Sequence, residues 1–85
     1  MADVSVIILT HNEEKHIARC LQSLHPFTDK VFIVDSFSTD KTVDIARSLG
    51  AVVVQNPWIN YAIQFNYGIY NTPFNTTGLL VLVAD

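Results

Sequence analysis

The sequence predicts an α/β protein: an open parallel sheet of about four strands with helices on both faces, in the order β-α-β-α-β-α-β. Three observations predict it. Short apolar runs of strand length recur at residues 4–9, 31–34, 51–55 and 79–84. The intervals between them carry apolar residues at helical spacing. The loops that follow the runs are filled with hydrogen-bonding side chains, and no Gly- or Ser-rich linker or internal repeat interrupts the alternation. Eighty-five residues with 49% hydrophobic content make one small domain, residues 1–85, and leave no room for a second core.

The run at 4–9 is continuous and rich in β-branched residues, the pattern of a strand covered on both faces. Thr10 and Glu13, three residues apart, predict a capping box that opens a helix. Ile17, Cys20, Leu21 and Leu24 give that helix its apolar face, with Cys20 as a buried core residue, and Pro26 ends it through His25. The second strand, 31–34, runs into Asp35-Ser36-Phe37-Ser38-Thr39-Asp40, a turn in which Ser38, Thr39 and Asp40 are expected to cap the second helix. Val43, Ile45, Ala46 and Leu49 form the face of that helix, Arg47 suits its negative end, and Gly50 is its left-handed stop. After the third strand, 51–55, Trp58 is expected to pack on the core. Asn60 caps a third helix that carries Tyr61, Ala62, Phe65 and Ile69 on one side. The run at 79–84 is the fourth strand.

Composition removes several function classes. Eight Asp or Glu stand against five scattered cations, Lys15, Arg19, Lys30, Lys41 and Arg47, so nucleic-acid binding is not expected. The lone Cys20 has no disulfide partner in the chain, which fits a reducing compartment. Asp3 stands where a secretory leader carries basic residues, and no run approaches the roughly 20 residues of a membrane-spanning helix. The expectation is a cytoplasmic protein without a transmembrane segment, free or peripheral to the inner face of the membrane.

In open parallel sheets, ligands bind at the carboxyl ends of strands where strand order reverses. That directs attention to Thr10, His11, Asn12 and Glu13, to residues 35–40, to residues 55–60, and to Asp85. No Gly-x-Gly-x-x-Gly or P-loop is present, which argues against dinucleotide and P-loop chemistry. His11, His16 and His25 lack the converging partners of a zinc site, and Ser36 has no histidine base at a suitable place in the sequence.

Val4-Ser5-Val6-Ile7-Ile8-Leu9-Thr10-His11-Asn12-Glu13-Glu14, followed by Ile33-Val34-Asp35-Ser36-Phe37-Ser38-Thr39-Asp40-Lys41-Thr42, resembles the opening of glycosyltransferase family 2 enzymes. Tyr61-Ala62-Ile63-Gln64-Phe65-Asn66-Tyr67-Gly68-Ile69 is similar to a third block in members that build lipopolysaccharide core or capsule sugars. The resemblance implies the Rossmann-like, nucleotide-sugar-binding half of a GT-A fold. It implies inverting transfer from a UDP- or dTDP-like sugar to a glycan or lipid-linked acceptor. Thr10, His11, Asn12 and Glu13 would lie against the nucleotide, with Thr10 touching base or ribose. Asp35 would accept the base N–H, which favours uracil- or thymine-like bases. Gln64 and Asn66 would lie near the diphosphate.

Relatives carry Asp-Ala-Asp-Glu after the fourth strand, where this chain has Val83-Ala84-Asp85. Asp85 keeps the position of a ligand to Mg²⁺ or Mn²⁺, and Val83 replaces the ribose-binding carboxylate, so a weakened site is expected. The catalytic base of relatives lies in a downstream acceptor-binding half. No catalytic residue is therefore assigned, and a truncated, nucleotide-binding chain with little turnover is expected. The alternative is a non-catalytic interaction module, or decayed glycosyltransferase fragment, that pairs with another chain or with itself through an exposed sheet edge. A third reading, a phosphoacceptor signalling domain built on Asp35, lacks the acidic pair such a site needs after the first strand.

Overall fold

A computed structural model describes residues 3–83. The elements are β1 (Val4–Thr10), α1 (Ile17–Leu24), β2 (Val31–Asp35), α2 (Thr42–Ser48), β3 (Val52–Gln55), α3 (Tyr61–Asn71) and β4 (Gly78–Val83), in the expected alternation. All strand pairs are parallel, and the sheet order is β3-β2-β1-β4. The chain therefore walks outward from β1 to β3, then returns to the far side of β1. Strand order reverses between β1 and β4.

Successive strand residues point to opposite faces, so a continuous apolar strand needs cover on both. β1 and β2 have it. Val6, Ile8, Val31 and Ile33 pack with Ile17 and Leu21 of α1 and Ala46 of α2. Ile7, Leu9, Phe32 and Val34 pack on the opposite face, with Tyr67 of α3 and Phe74 against them. β4 differs: Leu79, Leu80 and Val83 remain about half exposed, and its outer edge is unpaired among the described residues. Position 84, expected in this strand, lies outside the described residues. No helix among the described residues is long and apolar enough to cross a membrane.

Three local expectations need correction. The Thr10–Glu13 capping box does not form: Thr10 ends β1, and α1 begins only at Ile17, after His16, which makes no side-chain cap bond. Cys20 is half-buried against the α1 side of the core rather than enclosed, and its partial burial pushes the thiol pKa up. On α3 the Asn60 cap is present, its side chain accepting from the Ile63 N–H at 2.9 Å, but the inward face is Gln64, Tyr67 and Gly68. Tyr61, Ala62 and Ile69 are exposed.

The reason for Gly68 is distance. A Cβ there would sit 2.9 Å from Ile7 Cγ2 and 3.2 Å from Val34 Cγ2, both methyls of stiff, buried β-branched residues. α3 can approach the sheet this closely only without a side chain. Gly68→Ala is therefore expected to destabilise the chain even though alanine is the better helix former by about 1 kcal/mol, because overpacking costs about 1–3 kcal/mol. Urea unfolding should show a lower midpoint with an unchanged slope; an unchanged or raised midpoint would show that α3 is free to stand off the sheet.

Candidate functional site

The pairing of β1 with β2 sets Thr10 directly opposite Asp35. The Thr10 hydroxyl donates to Asp35 Oδ1 at 2.6 Å. The Ser38 hydroxyl donates to the same oxygen at 2.5 Å, and the Ser38 N–H to Oδ2 at 2.7 Å. Gln55 Nε2 completes the set at 3.2 Å from Oδ2. Asp35 has 0% exposure, so a buried carboxylate is held by four donors from three segments of chain. Burial raises the Asp35 pKa, but the bonds from Ser38, Thr10 and Gln55 outweigh it and hold the carboxyl below its ordinary value.

Around this knot the loops after β1 and β2 are stitched together. Asn12 adopts a left-handed backbone (φ 52°), its N–H donates to Ser38 Oγ at 2.8 Å, and its Oδ1 accepts the Thr39 N–H at 2.8 Å. The Glu13 N–H donates to Thr42 Oγ1 at 2.8 Å, and the Glu14 N–H to Asp40 Oδ2 at 3.2 Å. In return the Lys41 N–H donates to Glu14 Oε2 at 3.3 Å. The expected cap of α2 is thus divided: Asp40 accepts the Thr42 N–H at 3.0 Å, while Ser38 and Thr39 are engaged with Asp35 and Asn12. Phe37, also left-handed at φ 51°, is the kink that carries the chain from Ser36 back to Ser38.

Ser36 links this layer to α3. Its N–H donates to the Thr10 carbonyl at 2.9 Å, its carbonyl accepts from His11 Nδ1 at 2.7 Å, and its Oγ accepts from Gln64 Nε2 at 3.0 Å. Gln64 is fully buried. Its Nε2 also donates to the Asn56 carbonyl at 3.1 Å, and its Oε1 accepts from Asn56 Nδ2 at 3.0 Å.

A cleft of about 340 Å³ opens at the carboxyl ends of β1 and β4, where strand order reverses. Leu9 and Thr10 line it from β1, His11 and Glu13 from the next loop, and Ser36 from beyond β2. Trp58 lines it from the loop before α3, Tyr61 from the first residue of α3, and Val83 from the end of β4. Of the residues singled out in the sequence, Thr10, His11 and Glu13 thus meet at the cleft. Asn12, Asp35 and Gln64 brace its wall from behind, and Asn66 is exposed elsewhere on α3. Asp85 lies outside the described residues.

Trp58 corrects the packing expectation. It is 47% exposed and meets Tyr61 edge-to-face, with ring centroids 4.7 Å apart. Ser36, Trp58 and Tyr61 were not assigned to the site from sequence, although Ser36 and Trp58 fall in the strand-end segments that topology marks. Asp35, without exposed surface and with both oxygens occupied, is not available as a phosphoacceptor. Among the described residues no group of three or more His, Cys, Asp or Glu converges to hold a metal, and Glu13 is the one carboxylate lining the cleft. These residues alone do not fit a divalent-ion site.

The profile of glycosyl transferase family 2 matches residues 5–75. An uncharacterized glycosyltransferase of Rickettsia typhi is 46% identical over 67 residues, covering 79% of this chain and 23% of the relative. One of Rickettsia bellii is 48% identical over 64 residues, covering 75% of this chain and 22% of the relative. The chain thus spans about a quarter of the length of the curated relatives it matches. Glucosyl-3-phosphoglycerate synthase of Mycobacterium tuberculosis, in complex with Mn²⁺, UDP and glucosyl-3-phosphoglycerate, superposes with a TM-score of 0.80 at 23% identity. That match covers 99% of this chain and 34% of the synthase, and it shows the shared GT-A-type fold. A UDP complex of the same enzyme matches 64% of this chain and 21% of its own at 34% identity, TM-score 0.57.

The Asp35 knot yields a test. Asp35→Asn turns an accepting oxygen into an N–H₂ facing donors and is expected to cost about 1–3 kcal/mol at neutral pH. Because the folded carboxyl titrates below the ~3.9 of an unfolded chain, its stabilisation is fully present above that pH and is lost as pH falls through the folded value. Wild type should therefore lose stability below about pH 4 more steeply than Asp35→Asn. Asp3, held low chiefly by the Thr77 N–H, and Asp40, where bonds from Thr42 and the Glu14 N–H overcome burial, add the same slope to both proteins. Equal slopes in urea unfolding from pH 6 to 3 would show that Asp35 is not held as described.

Proposed function

The chain belongs to glycosyl transferase family 2, and on that premise we propose that its cleft is the subsite for the nucleoside diphosphate of a sugar donor. The observation that carries this reading is the position of the cleft at the reversal between β1 and β4, walled by two loops fixed against each other. Open α/β sheets take nucleotides at that place. Trp58 and Tyr61 offer aromatic surface on which a base stacks, a contact worth about 1–3 kcal/mol per base. Thr10, His11, Glu13 and Ser36 supply the polar contacts. Asn12, Asp35 and Gln64 hold those residues in place. The UDP complexes of the structural neighbour support a uracil-like base.

Among the described residues no Lys or Arg lines the cleft, and Glu13 adds an acid, so a bound diphosphate needs a counter-charge from elsewhere. A divalent ion supplies such a charge, and the Mn²⁺ in the neighbour's complex supports one here. We assign Asp85 to it on its place in the sequence. The acceptor, a glycan or lipid-linked sugar in our reading, and the general base that removes its proton belong to the whole proteins of which this chain spans about a quarter.

Calorimetry on the full chain with Mn²⁺ tests the proposal. UDP and dTDP are expected to bind at least roughly tenfold more tightly than ADP, a difference of about 1.4 kcal/mol. Equal affinities for all three would contradict a pyrimidine nucleotide subsite.

A further inference from the structure

A surface helix turns an apolar stripe to the core and ordinarily gives solvent a charged or polar one. α3 departs from this. Gln64, Tyr67 and Gly68 face the sheet, while Ala62, Ile63, Asn66, Ile69 and Tyr70 recur at helical spacing on the opposite side. All five are exposed, Tyr70 at 85%, Ile63 at 41% and Ile69 at 37%. None of them lines the cleft. The sequence has no charged side chain between Arg47 and Asp85, so this stripe joins apolar and aromatic surface to a complete lack of charge, the composition of an interface centre.

The stripe is symmetric about Asn66. Where two copies of α3 cross antiparallel at that residue, Ile63 of each meets Ile69 of the other, and the small Ala62 meets the large Tyr70. Asn60 and Asn71 are committed to the Ile63 N–H and the Tyr67 carbonyl, whereas the Asn66 amide has no partner among the described residues. A carboxamide is both donor and acceptor, so it can pair with its own copy across a two-fold axis, which neither an ammonium nor a carboxylate can do. One asparagine in an otherwise apolar helix seam fixes register in this way. The charges that make up the net −3 all lie outside residues 48–84, so such a crossing sets no like charges against each other.

We propose that the outer face of α3 is an isologous interface between two copies of this chain, centred on Asn66. A second copy is the occupant because the same five residues supply both halves of the match. The inference is independent of the reading of the cleft, and it gives a role to Asn66, which stands away from it. An 11-residue helix is about 16 Å long, so the contact falls at the low end of specific interfaces. The dimer is accordingly weak, with a Kd of about 1 μM or above.

Sedimentation equilibrium of the full chain between about 1 μM and 1 mM tests this, with wild type, Ile63→Lys, Ile69→Glu and an equal mixture of the two variants. Wild type is expected to pass from monomer to dimer across that range. Each variant alone should dimerise at least roughly tenfold more weakly, because each homodimer sets a charge against an isoleucine twice. The mixture should recover most of the loss, since a mixed dimer places the introduced lysine opposite the introduced glutamate and keeps one Ile63–Ile69 contact. Both positions are exposed, and circular dichroism should show both variants folded; wild type alone decides the matter if one is not. A wild type that stays monomeric at 1 mM overturns the proposal. So does a dimer that both substitutions leave intact, which would place the contact elsewhere, the open edge of β4 being the alternative. A mixture that associates no better than its components overturns the crossing at Asn66.

Discussion

A carboxylate stripped of water is tolerated only where donors replace the water, and Asp35 is where this chain meets that demand. Its donors come from the end of β1, the turn after β2 and the end of β3. Satisfying one buried charge thus draws three strand ends and a loop to a common point. With Thr10 bonded to Asp35, the residues that follow these two in sequence, His11 and Ser36, are placed at the cleft. The positive φ at Asn12 and Phe37 costs energy that only a well-tied loop can hold, and both residues lie in segments anchored on this knot.

The sheet supplies the rigid platform for that arrangement, but unevenly. β1 and β2 are enclosed on both faces, and Gly68 brings α3 close over the Ile7 and Val34 side chains. β4 completes the sheet with a surface that remains half open. The cleft lies where these two regimes meet, with one wall fixed by buried hydrogen bonds and the other ended by Val83. Val83 is apolar, so it offers no side-chain hydrogen bond on its side of the cleft.

The alternation of elements was legible because it depends on local pattern: doubly buried strands read as continuous apolar runs, and Gly50 and Asn60 punctuate the helices as their backbone roles require. The convergence of Thr10 and Asp35 was legible as well, since parallel neighbours end side by side. What was not legible depends on partners distant in sequence. Capping would need the Thr10 oxygen to accept a helix N–H three residues on, but Thr10 stays in β1, paired opposite Asp35, and its hydroxyl donates to that carboxylate 25 positions away. The inward face of α3 was misread because Gln64 faces inward to bridge two loops and Gly68 to let the helix approach, and neither registers as apolar periodicity. A Trp after a Pro in a loop reads as a residue packed on the core, yet Trp58 is about half exposed and lines the cleft.

If Asp35 makes the two loops a single unit, their hydrogen bonds must open together. Amide hydrogen exchange followed by NMR on the native chain measures this directly at Asn12, Glu13, Glu14, Ser38 and Thr39, whose N–H groups donate across the junction or to Asp35 itself. The account predicts one shared opening free energy for these five amides. Independent exchange, with the loop after β1 opening while the loop after β2 stays protected, would contradict it.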